Sequence, residues 1–231
     1  MSAAVLRRIF TDGGQGTKSG VPWASTSSPR SVSIASLTAR IHCEGHNNQL
    51  SELDEVGEAM MRHVQEAQLE HEARDTTCWF RQVDGFMFER WLLKVAFGFW
   101  QSGNFSHGGK QHAGAPPIRW KRLLLGLEQF GQRQGLHMFK ATAAPFYLSD
   151  TELSVYSHTR AEHIHLVDVD LARVSFRIAI SRFVDASKFE RRPIALEFRQ
   201  RATYKTVEFN WHGQGGANAI FYNRVGDAPQ P

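Results

Sequence analysis

Only two cysteines, Cys43 and Cys78, occur in the 231 residues. That is too few for a disulfide scaffold and suits a reducing compartment. A secretory leader is not expected, because Arg7 and Arg8 are followed by Thr11, Asp12, Gly13 and Gly14 where an apolar core should stand. No apolar run reaches the ~20 residues of a membrane span, and the most apolar segment, Phe86–Trp100, carries Glu89, Arg90 and Lys94. Acidic residues are nearly absent before Glu44, Asp12 alone preceding it, a Ser/Arg-rich composition that also suits an organellar transit peptide. With these absences the expectation is a soluble, intracellular, cytoplasmic protein. The G-x-x-x-x-G-K-[ST] loop and the dinucleotide fingerprint are missing, which leaves a nucleotide site without support. Nor does any Ser-His-Asp or Cys-His set stand out.

What is present is globular. Hydrophobic residues make up 42% of the chain and charged ones 22%, and sixteen Phe with six Trp supply bulk for a core. The net charge of +4 permits binding to phosphates or nucleic acid without requiring it. Val5–Phe10 and Ser33–His42 read as short strands around a Ser/Pro-rich loop. A first helix starts at Ser51, which can cap it with Asp54 as the acidic partner of a capping box; Leu53, Val56, Met60, Val64 and Ala67 follow at helical spacing. A second helix starts from Asp84 as N-cap and runs to about Trp100, apolar almost all round and therefore central. A third runs from Arg119 to about Phe130, after Pro116-Pro117.

After Gly135 the period changes to two. Val174, Phe176 and Ile178 alternate with polar residues, as do Ile194, Leu196 and Phe198, then Val207, Phe209 and Trp211. Met138–Ala143 and His163–Val169 are further strands. This predicts an α+β fold, a helical part (about three helices, residues 49–135) packed on an antiparallel β-meander or partial barrel (residues 136–225). Residues 1–48 form an N-terminal loop and strand segment and 226–231 a tail, the whole expected to make one compact domain.

The string Ile41–Asp54, IHCEGHNNQLSELD, contains Cys43-x-x-His46, the spacing with which a tight turn brings two ligands to one metal ion. Asn47 follows at once, and a helix starts four residues later. This resembles the second half of an HNH-type, treble-clef nuclease module found in many bacterial proteins, where a C-x-x-C or C-x-x-H-N element leads into a helix beginning L-S-x-L-D. Gly85-Phe86-Met87-Phe88-Glu89-Arg90-Trp91-Leu92-Leu93-Lys94 is similar to the G-x-x-x-E-R-W-x-x-K helix of the same proteins, so the resemblance spans about residues 33–97. No established activity comes with it. A complete module of this type has an upstream C-x-x-C and a catalytic His, whereas the first forty residues here hold neither Cys nor His. The general base and half the zinc ligands are missing, so the resemblance implies a degenerate knuckle.

Zinc bound at Cys43 and His46 would need two more ligands, and Cys78, His42, His63 and His71 are the candidates. The plainer reading makes Cys43 a buried thiol and His46 part of a turn. His163 and His165, two apart on a strand, face one way and form an alternative metal pair; Asp168 and Asp170 have the opposite parity unless a bulge intervenes. Arg119, Lys121, Arg122, Arg177 and Arg199 could line a phosphate-contacting surface, although Glu190, Glu197 and Glu208 interleave and a solvated mixed-charge face is the plainer reading. Phe146, Tyr147 and Tyr156 could line a small-molecule pocket or simply fill core. The function expected is binding without catalysis, to nucleic acid or to a protein partner, with no cofactor and with zinc as the ion the knuckle would take. The alternative is a metal-dependent hydrolase or nuclease with a rebuilt Cys/His site.

Overall fold

A helix that is apolar on every side is stable only when the rest of the chain surrounds it. In the computed structural model Gly85–Gln101 is such a helix, set between two β-sheets. Residues 15–18, 30–33, 48, 50–73, 76–101, 106–107, 110–111, 116–140, 144–146, 153–160, 163–171, 174–181, 185, 187–200 and 202–224 are described. The elements are β1 (Gln15–Lys18), β2 (Arg30–Ser33), α1 (Ser51–Glu72), β3 (Trp79–Asp84), α2 (Gly85–Gln101), β4 (Ser106–His107), β5 (Lys110–Gln111), α3 (Ile118–Leu124), β6 (Gly135–Phe139), β7 (Ala144–Phe146), β8 (Leu153–Arg160), β9 (His163–Leu171), β10 (Val174–Ala179), β11 (Phe189–Arg191), β12 (Ala195–Gln200), β13 (Thr203–Asn210) and β14 (Ala219–Arg224).

The fold is α+β. The first sheet has the order β11-β6-β10-β9-β8 and is antiparallel throughout, with β8, β9 and β10 forming a meander. The second has the order β3-β13-β12-β14-β7. There β12 and β13 pair as an antiparallel hairpin, while β3, β14 and β7 join in parallel. Among the described residues neither sheet closes into a barrel. The alternating strands therefore divide between two sheets, β10 in the first and β12 and β13 in the second. One apolar cluster runs from Leu50 to Tyr222 and includes all three helices and both sheets. Its centre is Phe88, whose ring lies 5.0 Å from Phe176 of the first sheet and 5.9 Å from Phe209 of the second.

The charges on α2 are explained by where their ends go. Lys94 donates to the Leu50 carbonyl at 2.9 Å and to Asp54 at 2.8 Å, which fastens α2 to the start of α1. Asp54, expected in a capping box, is thus used for a tertiary ion pair; the Ser51 hydroxyl donates to the Asn48 carbonyl. Arg90 donates to the Leu124 carbonyl at the end of α3. Helix α3 stops at Leu124, six residues before the expected end, because Gly126 takes a left-handed φ of 71°. The Gly126 and Leu127 N–H groups then turn back onto the carbonyls of Leu123 and Arg122, the Schellman arrangement. No helix among the described residues is long and apolar enough to cross a membrane.

Asp84 caps α2 as its sequence position suggests, its Oδ1 accepting the Met87 N–H at 2.9 Å. Asp84→Ala is expected to cost about 1 kcal/mol of stability, measured by urea unfolding. A change below about 0.3 kcal/mol would mean that the bond is replaced by water at no loss.

Candidate functional site

Three arginines in this chain are held in one way, each guanidinium lying over an aromatic ring and reaching a carboxylate. Arg192 lies 4.6 Å above Phe86 and donates to both oxygens of Glu89, at 2.9 and 3.0 Å. Both members are buried. Burial is the largest influence on the Glu89 carboxyl and pushes it above the ordinary range; Arg192 and the Leu136 N–H, which donates at 2.7 Å, pull the other way. Gly135 is required beside them: with φ of 91°, a Cβ at that position would stand 2.2 Å from Glu89 Oε1. Arg192 itself has a left-handed φ of 50°. Glu89, Gly135 and Arg192 form a structural joint, closed to solvent, and not a reactive site.

On the outer face of the first sheet, Arg177 lies 4.4 Å over Phe189 and donates to both oxygens of Asp168, at 2.6 and 2.7 Å. His158 Nε2 meets the same carboxylate at 2.8 Å. On the second sheet, Arg199 lies 4.1 Å over Phe221 and directs Nε and Nη2 to Glu197 Oε2, at 3.1 and 2.7 Å.

The residues expected to contact phosphate lie in three places. Arg177 and Arg199 sit on different sheets and do not share a face. Arg119 donates to Glu128 at 2.7 Å and to Gln134 at 2.7 Å, and Arg122 lies 3.6 Å from Glu128. Lys121 is on α3 with them, half-buried. Each of the four arginines is therefore committed to a carboxylate.

The metal candidates are scattered. Cys43 and His46 lie outside the described residues, as does His42. Cys78 is an exposed thiol ahead of β3. His63 is buried on α1, its ring 6.3 Å from Trp79 and its Nδ1 3.6 Å from Glu66, and burial holds its pKa below the usual value. His71 belongs to the last turn of α1. On β9, His158 pairs with Leu166 and Thr159 with Ile164, so His165 is the extra residue of a β-bulge and the regular alternation with His163 is broken. The His165 carbonyl accepts the N–H groups of Ile180 and Ser181 instead. No three His, Cys, Asp or Glu residues among those described could hold one ion. Tyr156 is exposed on the first sheet and Phe146 belongs to β7 of the second; Tyr147 lies outside the described residues.

The strongest surface feature was not expected from the sequence. Strand register places Phe80 opposite Thr206, Thr206 opposite Glu197 and Glu197 opposite Phe221, and places Tyr204 opposite Arg199. Side chains two apart on a strand share a face. Phe80 and Phe221 thus end one row across four adjacent strands, with Tyr204 and Arg199 paired in the neighbouring row, on the face opposite buried Val83, Val207, Leu196 and Ile220. Phe80 is 56% and Tyr204 54% exposed. The same face carries Gln82 and Glu208, opposite one another, and ends at Asp84. Among its described residues, Glu197, Glu208 and Asp84 stand against one guanidinium, that of Arg199, and the imidazole of His212, whose Nε2 lies 3.1 Å from Asp84 Oδ2. Glu208 makes no ion pair or hydrogen bond with a described side chain.

No protein family matches the chain, and neither a curated protein nor a solved structure shows significant similarity to it.

Proposed function

We propose that this chain is a non-catalytic binding protein that docks a basic segment of a partner protein on the outer face of its second sheet. The carrying observation is that two exposed aromatics, Phe80 and Tyr204, stand on a face where three carboxylates meet one guanidinium and one imidazole. Exposed aromatics on a rigid sheet give large contact area at little cost in side-chain entropy, which is why Tyr and Phe anchor interfaces. The local charge then selects among partners. Nucleic acid binding draws its affinity from cations opposite phosphates, and Arg119, Arg122, Arg177 and Arg199 are each engaged with an acid. A face with an acidic excess favours Lys and Arg from a partner and steers their approach.

The test is selection of a random displayed-peptide library on the full chain, with the affinity of each enriched peptide measured on wild type and on Phe80→Ala/Tyr204→Ala. The expected peptides carry net positive charge and bind the variant at least ten-fold more weakly, about 1.4 kcal/mol. Peptides that bind both proteins equally, or that are acidic, would overturn the reading. A single-stranded oligonucleotide that binds wild type and fails on the variant would instead assign the face to nucleobase stacking.

A further inference from the structure

We infer that the partner contributes an arginine, whose guanidinium lies flat on Phe80 and is held by Glu208. This rests on the reading of that face as a docking surface and names the group recognised there.

The argument comes from what the chain does with its own arginines. Arg192 over Phe86 with Glu89, Arg177 over Phe189 with Asp168, and Arg199 over Phe221 with Glu197 share one arrangement, an aromatic face below and a carboxylate at the edge. Lys205 also meets a ring and a carboxylate, its Nζ 5.9 Å from the Trp79 centroid and paired with Glu70, but at a longer ring distance than the 4.1–4.6 Å of the three guanidinium groups. The planar guanidinium can stack flat on the ring and present N–H groups at its edge, which a compact ammonium cannot. The Arg199 case lies on the proposed docking face and is built from cross-strand geometry: Glu197 is directly opposite Phe221, and Arg199, two residues along from Glu197, reaches the ring diagonally.

Phe80 and Glu208 bring the same two groups together on the next pair of strands, as diagonal rather than direct neighbours, with no arginine between them among the described residues. Phe80 is directly opposite Thr206, and Glu208, two residues along from Thr206, is its diagonal neighbour. Diagonal neighbours are about 7–8 Å apart, within the span of a guanidinium placed over one and hydrogen-bonded to the other. Gln82 stands directly opposite Glu208 and offers a side-chain carbonyl to the remaining N–H groups. Tyr204 borders Phe80 on its other diagonal and widens the apolar floor. The nearest arginine in sequence, Arg81, turns to the other side of its strand, lying 5.4 Å over Trp79. An aromatic floor, a carboxylate that pairs with no described side chain and an amide are thus assembled where a fourth guanidinium would complete the set.

The experiment uses three nine-residue peptides, identical in a Gly/Ser background except for a central Arg, Lys or citrulline, titrated into the isotopically labelled full chain. Binding is read from NMR shifts of the Phe80 and Tyr204 rings. Expected is a dissociation constant for the Arg peptide at least five-fold below that of the Lys peptide, with no saturable shift for citrulline. In Glu208→Gln the advantage of Arg over Lys should disappear while the ring contact persists; Phe80→Leu should weaken all cationic peptides together. Equal affinity for Arg and Lys, or an unchanged Arg preference in Glu208→Gln, overturns the guanidinium assignment and leaves the docking face standing. If neither cationic peptide moves the Phe80 and Tyr204 resonances, the assignment and the docking reading both fall.

Discussion

Replacing Arg192 by Ala is expected to lower the free energy of unfolding by about 3–5 kcal/mol, the usual cost of stripping one partner from a buried ion pair. The Glu89 carboxylate has no access to solvent and takes two hydrogen bonds from Arg192 and one from the Leu136 N–H. Without the guanidinium it must either stay charged in an apolar surrounding or bind a proton and lose most of the reason for its placement. The pair also joins α2 to both sheets. Glu89 belongs to α2, Leu136 to β6 of the first sheet, and Arg192 rests on Phe86 and, at 5.4 Å, on the ring of Trp211 at the end of the second sheet. Unfolding in urea followed by tryptophan fluorescence measures the loss. Glu89→Leu/Arg192→Met should recover part of it, since an apolar pair of similar volume avoids the desolvation of both charges. Recovery will be incomplete because the Leu136 N–H loses its acceptor. A loss below about 1 kcal/mol for Arg192→Ala would mean that the joint is open to water and the ion pair is worth no more than a surface one.

The helical part of this chain was legible because its signals are local. Apolar spacing from Leu53 to Ala67 sets α1, Asp84 caps α2, and the all-round apolar character of Phe86–Trp100 places α2 between the sheets. The alternation at Val174–Ile178, Leu196–Phe198 and Val207–Phe209 marks β10, β12 and β13 correctly as strands. What it cannot mark is which sheet a strand joins, since a period of two carries no address. Strand β3 is hidden for a related reason. Its sequence WFRQVD does not alternate, because it is an edge strand whose Phe80, Arg81 and Gln82 are all exposed, and its identity as a strand comes from parallel pairing with residues more than a hundred positions away. Only the register turns Phe80 outward next to Tyr204. The same holds for the charges. Nothing near Glu190-Arg191-Arg192 distinguishes the arginine that is buried from the one that is half-exposed, and Arg119, Arg122, Arg177 and Arg199 each pair with a carboxylate two to nine residues away.

A last expected result concerns acid. His137 on β6 is buried, its Nδ1 3.0 Å from the Gly135 carbonyl, and burial lowers its pKa from 6.5 to about 4, with Arg191, Arg177 and Arg192 nearby adding to the cost of a further positive charge. In the unfolded chain the same imidazole takes a proton near pH 6.5. Between about pH 6.5 and 4 the unfolded state therefore binds more protons than the folded one, and stability must fall as pH falls through that window. The shift corresponds to about 3 kcal/mol in total, with a slope of at most ~1.4 kcal/mol per pH unit. Glu89 acts in the opposite sense. Its raised pKa means that the folded state gains a proton first on acidification, which opposes the loss over the range just above the ordinary carboxylate value. Urea unfolding of wild type at a series of pH values gives the sum of the two, so the His137 part is isolated as the difference from His137→Gln. That difference should narrow steadily from pH 7 to 4, as the variant lacks the group that titrates. A difference independent of pH would show that His137 is charged in the folded state, which would require one of the three arginines around it to have moved away.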